Sequence, residues 1–100
     1  MRRFLVVAAC AALCSCQSNR PPAAGDAAKG HATFRTSCAI CHNPDSRDRK
    51  VGPGLKGLAR RESEVAIRAK IDHGGNGMPA FGDVLSAPER DDLVAYLETL

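Results

Sequence analysis

The five residues Cys38-Ala39-Ile40-Cys41-His42 constrain this 100-residue chain more than any other stretch of it. Two thiols three positions apart sit about one helical turn from each other, close enough to reach two vinyl groups on adjacent pyrroles of one porphyrin. A histidine directly after the second thiol is then held beneath the metal and offers Nε2 as an axial ligand. In a chain with five cysteines and three histidines, the pattern arises by chance with a frequency of roughly 0.007. Cys-x-x-Cys has two other uses. A thioredoxin-like redox pair needs a βαβ setting, and the chain has no credible strand pattern. A structural zinc site needs four ligands, normally in two matched pairs. Here Cys41 and His42 are adjacent and diverge, with only a distant His31 or His73 to complete a set. The motif therefore points to one covalent haem c.

The rest of the cysteine usage agrees with that assignment. Arg2 and Arg3 precede ten apolar residues, 4–13, followed by small ones. This is the layout of an export signal, and it is too short to span a bilayer. Leu13-Cys14-Ser15-Cys16 resembles the lipobox of bacterial lipoproteins, with an aliphatic residue at −3 and a small one at −1. Residues 1–15 would then be the signal peptide, and Cys16 the acylated first residue of the mature chain. Val7-Ala8-Ala9-Cys10 fits the same pattern but leaves an apolar region of only about five residues, too short for a signal. Ordinary cleavage nearby is the alternative. Residues 16–25 are polar and Pro-rich, a tether whose stretch from Ser18 reaches roughly 26 Å when extended. Cys10 and Cys14 leave with the signal and Cys16 takes lipid, so Cys38 and Cys41 have no partner but each other and no structural disulfide is expected.

Residues 26–100 form a single domain of about 75 residues. Chains of this size bury little core and often need a metal or cofactor as a staple. With no Trp, one Tyr and three Phe, aromatic core material is scarce, and a haem would supply the missing apolar mass. Three helices are predicted. The first covers residues 26–38, with Asp26 as N-cap and Ala27, Gly30, His31, Phe34 and Cys38 on one face. Gly30 on that stripe marks either a close approach by another backbone or a weak spot in a surface helix. A charged, Gly/Pro-containing loop follows over residues 43–57. The second helix covers residues 63–73, capped by Ser63 and stopped by Gly74-Gly75, with modest apolar character from Val65, Ala66, Ala69 and Ile71. The third opens on the capping box Ser86-Ala87-Pro88-Glu89 and runs to the C-terminus, with Leu93, Tyr96, Leu97 and Leu100 on one face. The fold class is all-α.

The second axial ligand is approached by elimination. Beyond Met1 the chain has one methionine, Met78, in a Gly/Asn-rich loop just before Pro79. A thioether is a soft ligand suited to haem iron, and His/Met ligation raises the reduction potential. A methionine filling a core gap is the competing reading. His73 is the fallback ligand, although a histidine at a helix C-terminus more often serves the last carbonyls. His31 is expected to be structural or exposed.

The ordered set Gly30, Phe34, Cys38-x-x-Cys41-His42, Gly52-Pro53-Gly54-Leu55, Met78-Pro79 and Leu93-Val94-x-Tyr96-Leu97 resembles the class I monohaem cytochromes c, over essentially all of residues 25–100. The resemblance implies the cytochrome c fold, in which the first and last helices cross at the glycine and pack the aromatics. It also implies that the Pro53 carbonyl accepts a hydrogen bond from Nδ1 of His42, which fixes the tautomer and the ring orientation, and that Leu55 packs on the haem. The short charged loop after His42 and the lack of tryptophan are similar to the small bacterial type. Haem-propionate partners stay unassigned, with Arg60 and Arg61 as weak candidates.

Filled axial positions leave the iron no open site for substrate, so the expectation is electron transfer without enzymatic activity, between membrane or periplasmic redox partners on the exported side. Two alternatives stay open: a gas sensor in which Met78 is displaced, and a fixed electron-transfer subunit of a larger oxidoreductase. Without Arg2 and Arg3 the chain has 12 basic and 11 acidic residues. That balance gives no support for nucleic-acid binding. Arg47, Arg49, Lys50, Lys56, Arg60 and Arg61 crowd one stretch, whereas Glu89, Asp91, Asp92 and Glu98 populate the last helix. The separation is either a dipole that steers docking or an ordinary solvated surface.

Overall fold

A computed structural model describes residues 24–100; the expected signal peptide, the lipobox with Cys16 and most of the tether lie outside the described residues. Four helices follow in order: α1 (Ala27–Ser37), α2 (Leu58–Arg61), α3 (Glu64–His73) and α4 (Ala87–Leu97). Among the described residues there is no strand, only an isolated bridge between Gly75 and Met78. The all-α expectation holds. No helix among the described residues is long and apolar enough to cross a membrane.

Each long helix starts where its cap chemistry directs. The Asp26 carboxylate accepts from the backbone N–H groups of Ala28 at 2.9 Å and Lys29 at 3.2 Å. Ser63 Oγ accepts from Ala66 N–H at 3.1 Å. At α4 the capping box is reciprocal: Glu89 N–H donates to Ser86 Oγ at 3.2 Å, and Ser86 N–H to Glu89 Oε1 at 3.3 Å. These side chains satisfy donors that the first helical turn would otherwise leave open. The short α2 was not foreseen. It is one turn, entered through Gly57 at φ +79°, which a side chain would strain.

The α1–α4 crossing is the centre of the fold. A Cβ built on Gly30 would collide with the Asp92 carbonyl oxygen and lie 2.9 Å from Tyr96 Cβ. This decides between the two readings of Gly30: it is the contact point of two backbones. Asp92 also accepts from the Asp26 backbone N–H at 2.8 Å, tying the start of α1 to α4. Tyr96 lies against Phe34, with ring centroids 5.3 Å apart, and stacks on His31 at 4.9 Å. His31 is thus a structural, exposed residue, as expected.

The buried core is Phe34, Ile67, Ile71, Leu85, Leu93, Val94, Ala95 and Leu97. Two helices bury residues beyond those named from the sequence. In α3 the inward residues are Ile67 and Ile71, while Val65 is 78% exposed. In α4, Val94 and Ala95 are buried beside Leu93 and Leu97, and Tyr96 and Leu100 are only half-buried. The cause is common to both. α4 packs α1 and also contacts α3, so more than one stripe of it is covered. α4 also ends at Leu97 rather than at the C-terminus; Thr99 Oγ1 donates back to the Tyr96 carbonyl at 2.6 Å.

Gly30→Ala tests the crossing. Alanine is the better helix former by about 1 kcal/mol, but its methyl must displace a backbone carbonyl, and overpacking costs about 1–3 kcal/mol. The clash wins, and the melting temperature of the haem-loaded protein, followed by circular dichroism, is expected to fall by about 4–8 °C for each kcal/mol lost. A rise instead would show that the helices part without cost.

Candidate functional site: the haem attachment turn and its supporting loops

α1 delivers the chain directly into the attachment turn. Cys38 and Ala39 N–H groups both donate to the Phe34 carbonyl, at 2.8 and 2.9 Å. Cys41 and His42 N–H then donate to the Cys38 carbonyl, each at 3.0 Å. The two cysteines are therefore held in one tight turn against the end of α1. They form no disulfide and are both half-buried. Burial, and secondarily the neighbouring Cys41, push the Cys38 thiol up to about 11. A redox-active Cys-x-x-Cys needs the opposite shift, towards a thiolate at neutral pH.

His42 is oriented by its own downstream loop. Its Nδ1 lies 2.8 Å from the Pro53 carbonyl oxygen. A carbonyl can only accept, so Nδ1 is the donor; in the neutral ring this leaves the lone pair on Nε2, the tautomer a metal ligand needs. The backbone at Gly52 is pressed onto the same ring: a Cβ there would lie 2.5 Å from Cε1, 2.9 Å from Nδ1 and 3.0 Å from Nε2. Gly52 N–H donates to the Cys41 carbonyl at 2.7 Å and Leu55 N–H to the Asn43 carbonyl at 2.8 Å, so residues 52–55 are stitched back onto the turn. Leu55 is half-buried and packs against the core, as do Cys38, Ala39, Leu58 and Phe81.

Several charged residues in this region serve the protein itself. Lys50 Nζ donates to the Ala39 carbonyl at 2.8 Å. Arg61 Nη2 donates to the Lys56 carbonyl at 3.1 Å and the Gly54 carbonyl at 3.4 Å. Arg61 is therefore a loop brace, which weakens it as a propionate partner. On α4, Asp91 is bonded to Arg68 at 2.8 Å, and Asp92 and Glu89 serve the α1 start and the capping box. Much of the supposed acidic pole is spent internally.

Met78 lies in the loop between α3 and α4. That loop opens with Gly74, Gly75, Asn76 and Gly77 all at positive φ, between +54° and +115°, a run that only a Gly/Asn sequence adopts without strain. Gly75 N–H donates to the Met78 carbonyl at 2.9 Å and Met78 N–H to the Gly75 carbonyl at 3.1 Å. Met78 is half-buried, whereas His73 is exposed at the end of α3. Sequence reasoning missed Lys50, Arg61 and Asp92 as braces. Their partners are backbone groups between 5 and 66 positions away, which no motif marks.

The donor set fits a covalent haem. Two unpaired thiols share one turn with a histidine whose Nε2 is available, and half-buried apolar residues stand beside them with no buried charge among the described residues. It does not fit zinc: among the described residues no three His, Cys, Asp or Glu side chains gather into a metal-binding group.

Comparison with known proteins agrees. A family model described as "Cytochrome C oxidase, cbb3-type, subunit III" matches residues 25–97. The chain is 38% identical over 77 residues to a cytochrome c-553-like protein of Synechocystis, covering 76% of this chain and 70% of that one. It is 32% identical over 100 residues to cytochrome c6 of Thermosynechococcus vestitus, covering 96% and 89%. It is 34% identical over 76 residues to a cytochrome bc1 complex cytochrome c subunit of Corynebacterium diphtheriae, covering 74% of this chain but 27% of that one. The structure of cytochrome c6 from the diatom Phaeodactylum tricornutum superposes with a TM-score of 0.61 at 30% identity, over 75% of this chain and 93% of the other. The chain belongs to the c-type cytochrome family. It binds one covalent haem c and transfers electrons.

Gly52→Ala would push a methyl into the His42 ring, at about 1–3 kcal/mol. The expected result in the haem-loaded protein is faster solvent exchange of the Nδ1 proton, read by nitrogen-15 NMR of labelled histidine. An unchanged exchange rate and melting curve would show that the ring has room to move.

Proposed function

We propose that this chain is an exported, lipid-anchored electron carrier with a six-coordinate haem and no enzymatic activity of its own. Cys38 and Cys41 hold the haem through thioethers, and His42 and Met78 take the two axial positions. Pro53 sets the His42 tautomer through its carbonyl, and Leu55 packs on the macrocycle. When bound, the haem supplies a one-electron iron couple; the protein's own residues orient the ligands and exclude water. The observation that carries this reading is the His42 Nδ1–Pro53 bond beside two unpaired thiols on one turn. The assignment of Met78 over His73 is supported by its half-buried place in the loop.

Ile40, inside the attachment turn, and Val51, which follows Lys50, are 76% and 69% exposed. Exposed apolar side chains at and shortly after the attachment motif, next to Arg47, Arg49 and Lys50 in the sequence, suit brief docking of a redox partner. Residues 26–100 would be the cytochrome domain, residues 16–25 the tether from Cys16 and residues 1–15 the signal. A second reading, a fixed subunit of a larger oxidoreductase, is favoured by the descriptions of the matching family and of the Corynebacterium diphtheriae relative. Stoichiometric co-purification with a partner complex would support it over a free carrier.

Met78→Ala is expected to abolish the thioether-to-ferric charge-transfer band at the red end of the spectrum and to let the ferrous protein take up carbon monoxide. Carbon monoxide uptake by the unaltered protein would instead favour a sensor. His42→Ala is expected to yield no holoprotein; an unchanged spectrum would remove His42 from the iron. Cys16→Ser is expected to move the protein from the membrane to the soluble fraction. Retention on the membrane would rule out the lipid anchor.

A further inference from the structure

Arg90 sits on α4, yet its guanidinium reaches both limbs of the loop that carries Met78. Nε lies 3.3 Å from Asp72 Oδ1, in the last turn of α3 just before the loop begins. Nη1 donates to the carbonyls of Gly82 and Leu85, both at 2.6 Å, where the loop closes. The same two limbs are joined by backbone bonds from Phe81 N–H to the Ile71 carbonyl at 2.8 Å and from Gly82 N–H to the Asp72 carbonyl at 3.2 Å. Between these fastenings, Gly74 to Gly77 run at positive φ, and a Cβ on Gly77 would meet nothing within 4 Å. The tip of the loop has little packing of its own, so its position is set by how firmly its ends are held. Lys70 adds one exposed contact, Nζ to the Gly75 carbonyl at 3.1 Å. Arg90 thus joins both limbs to a third element, α4, through polar contacts. Its planar fork serves a carboxylate and two carbonyls at once, a task that a lysine ammonium performs less completely.

We propose that Arg90 is a positioning residue for Met78: by clasping both limbs of residues 72–85 it sets the fraction of molecules in which the Met78 thioether stays on the iron. The proposal rests on the reading of Met78 as axial ligand. The residue never touches the haem in this role; it acts through the loop.

Imidazole binding to the ferric holoprotein tests it. An external ligand reaches the iron only where Met78 has let go, so apparent affinity scales with the open fraction of the loop. Removing the charge-assisted bonds in Arg90→Gln is expected to raise that affinity about tenfold, with Arg90→Lys in between. The control is Arg68→Gln. Arg68 ties α3 to α4 through Asp91 at 2.8 Å and bonds Glu64, one turn earlier on α3, at 3.0 Å, away from the loop. It is expected to lower the melting temperature without changing imidazole affinity. Equal gains in affinity from the Arg90 and Arg68 variants would reduce Arg90 to a general stabiliser and overturn the proposal. So would an unchanged affinity in Arg90→Gln, or in Arg90→Lys if the glutamine variant does not load haem. A wild-type protein that lacks the thioether band and binds imidazole as tightly as Met78→Ala would overturn the axial assignment itself, which is a separate and recognisable failure.

Discussion

The Asp92 carbonyl occupies the space in which any side chain at position 30 would stand, and the remaining architecture depends on that contact. Because Gly30 has no Cβ, α1 and α4 approach until backbone meets side-chain stem, and three further interactions become possible. Asp92 reaches the start of α1. Tyr96 fits between Phe34 and His31. Phe34, 1% exposed, becomes the deepest aromatic of the core, where burying a side chain of its kind is worth roughly 1.5–3 kcal/mol. Phe34 is also the residue whose carbonyl receives the Cys38 and Ala39 amides. The crossing therefore fixes where the attachment turn emerges, and a structural contact becomes a functional one.

From that turn outward the site is built by short loops folding back on each other. The Cys41 carbonyl holds Gly52, the Asn43 carbonyl holds Leu55, and Arg61 braces the carbonyls of Gly54 and Lys56. The result is one carbonyl, that of Pro53, aimed at Nδ1 of His42. Loops of this kind have no regular hydrogen-bond ladder, so long cationic side chains complete their backbone bonding. Lys50 and Arg61, from the basic stretch that looked available for partners, are used this way. The apolar Ile40, within the attachment turn, and Val51 remain exposed.

The chain announced much of this locally. The attachment motif, the cap residues Asp26, Ser63 and Ser86 and the Gly-Gly-Asn-Gly loop before Met78-Pro79 are all readable, because each depends on neighbours within a few positions. The helix starts followed from side-chain oxygens meeting nearby amides, and the loop from the conformational freedom of glycine and asparagine. The Pro53 bond to His42 was legible only through family resemblance, since nothing in the residues between positions 42 and 53 dictates it.

What the tertiary structure decided was every question of facing. Gly30 read equally well as a contact point or a weak spot, until the Asp92 carbonyl appeared against it. α3 turned Ile67 inward and Val65 outward, and α4 buried Val94 and Ala95, because each helix answers to its neighbours and not to an ideal stripe. Arg61 and Asp92 read only as members of charged stretches and Arg90 carried no sequence signal, yet all three are braces, with partners up to 66 positions away in the chain. Local chemistry, acting over a turn or a cap, is written in consecutive residues. Which side chain meets which backbone across the fold is set only when the helices pack.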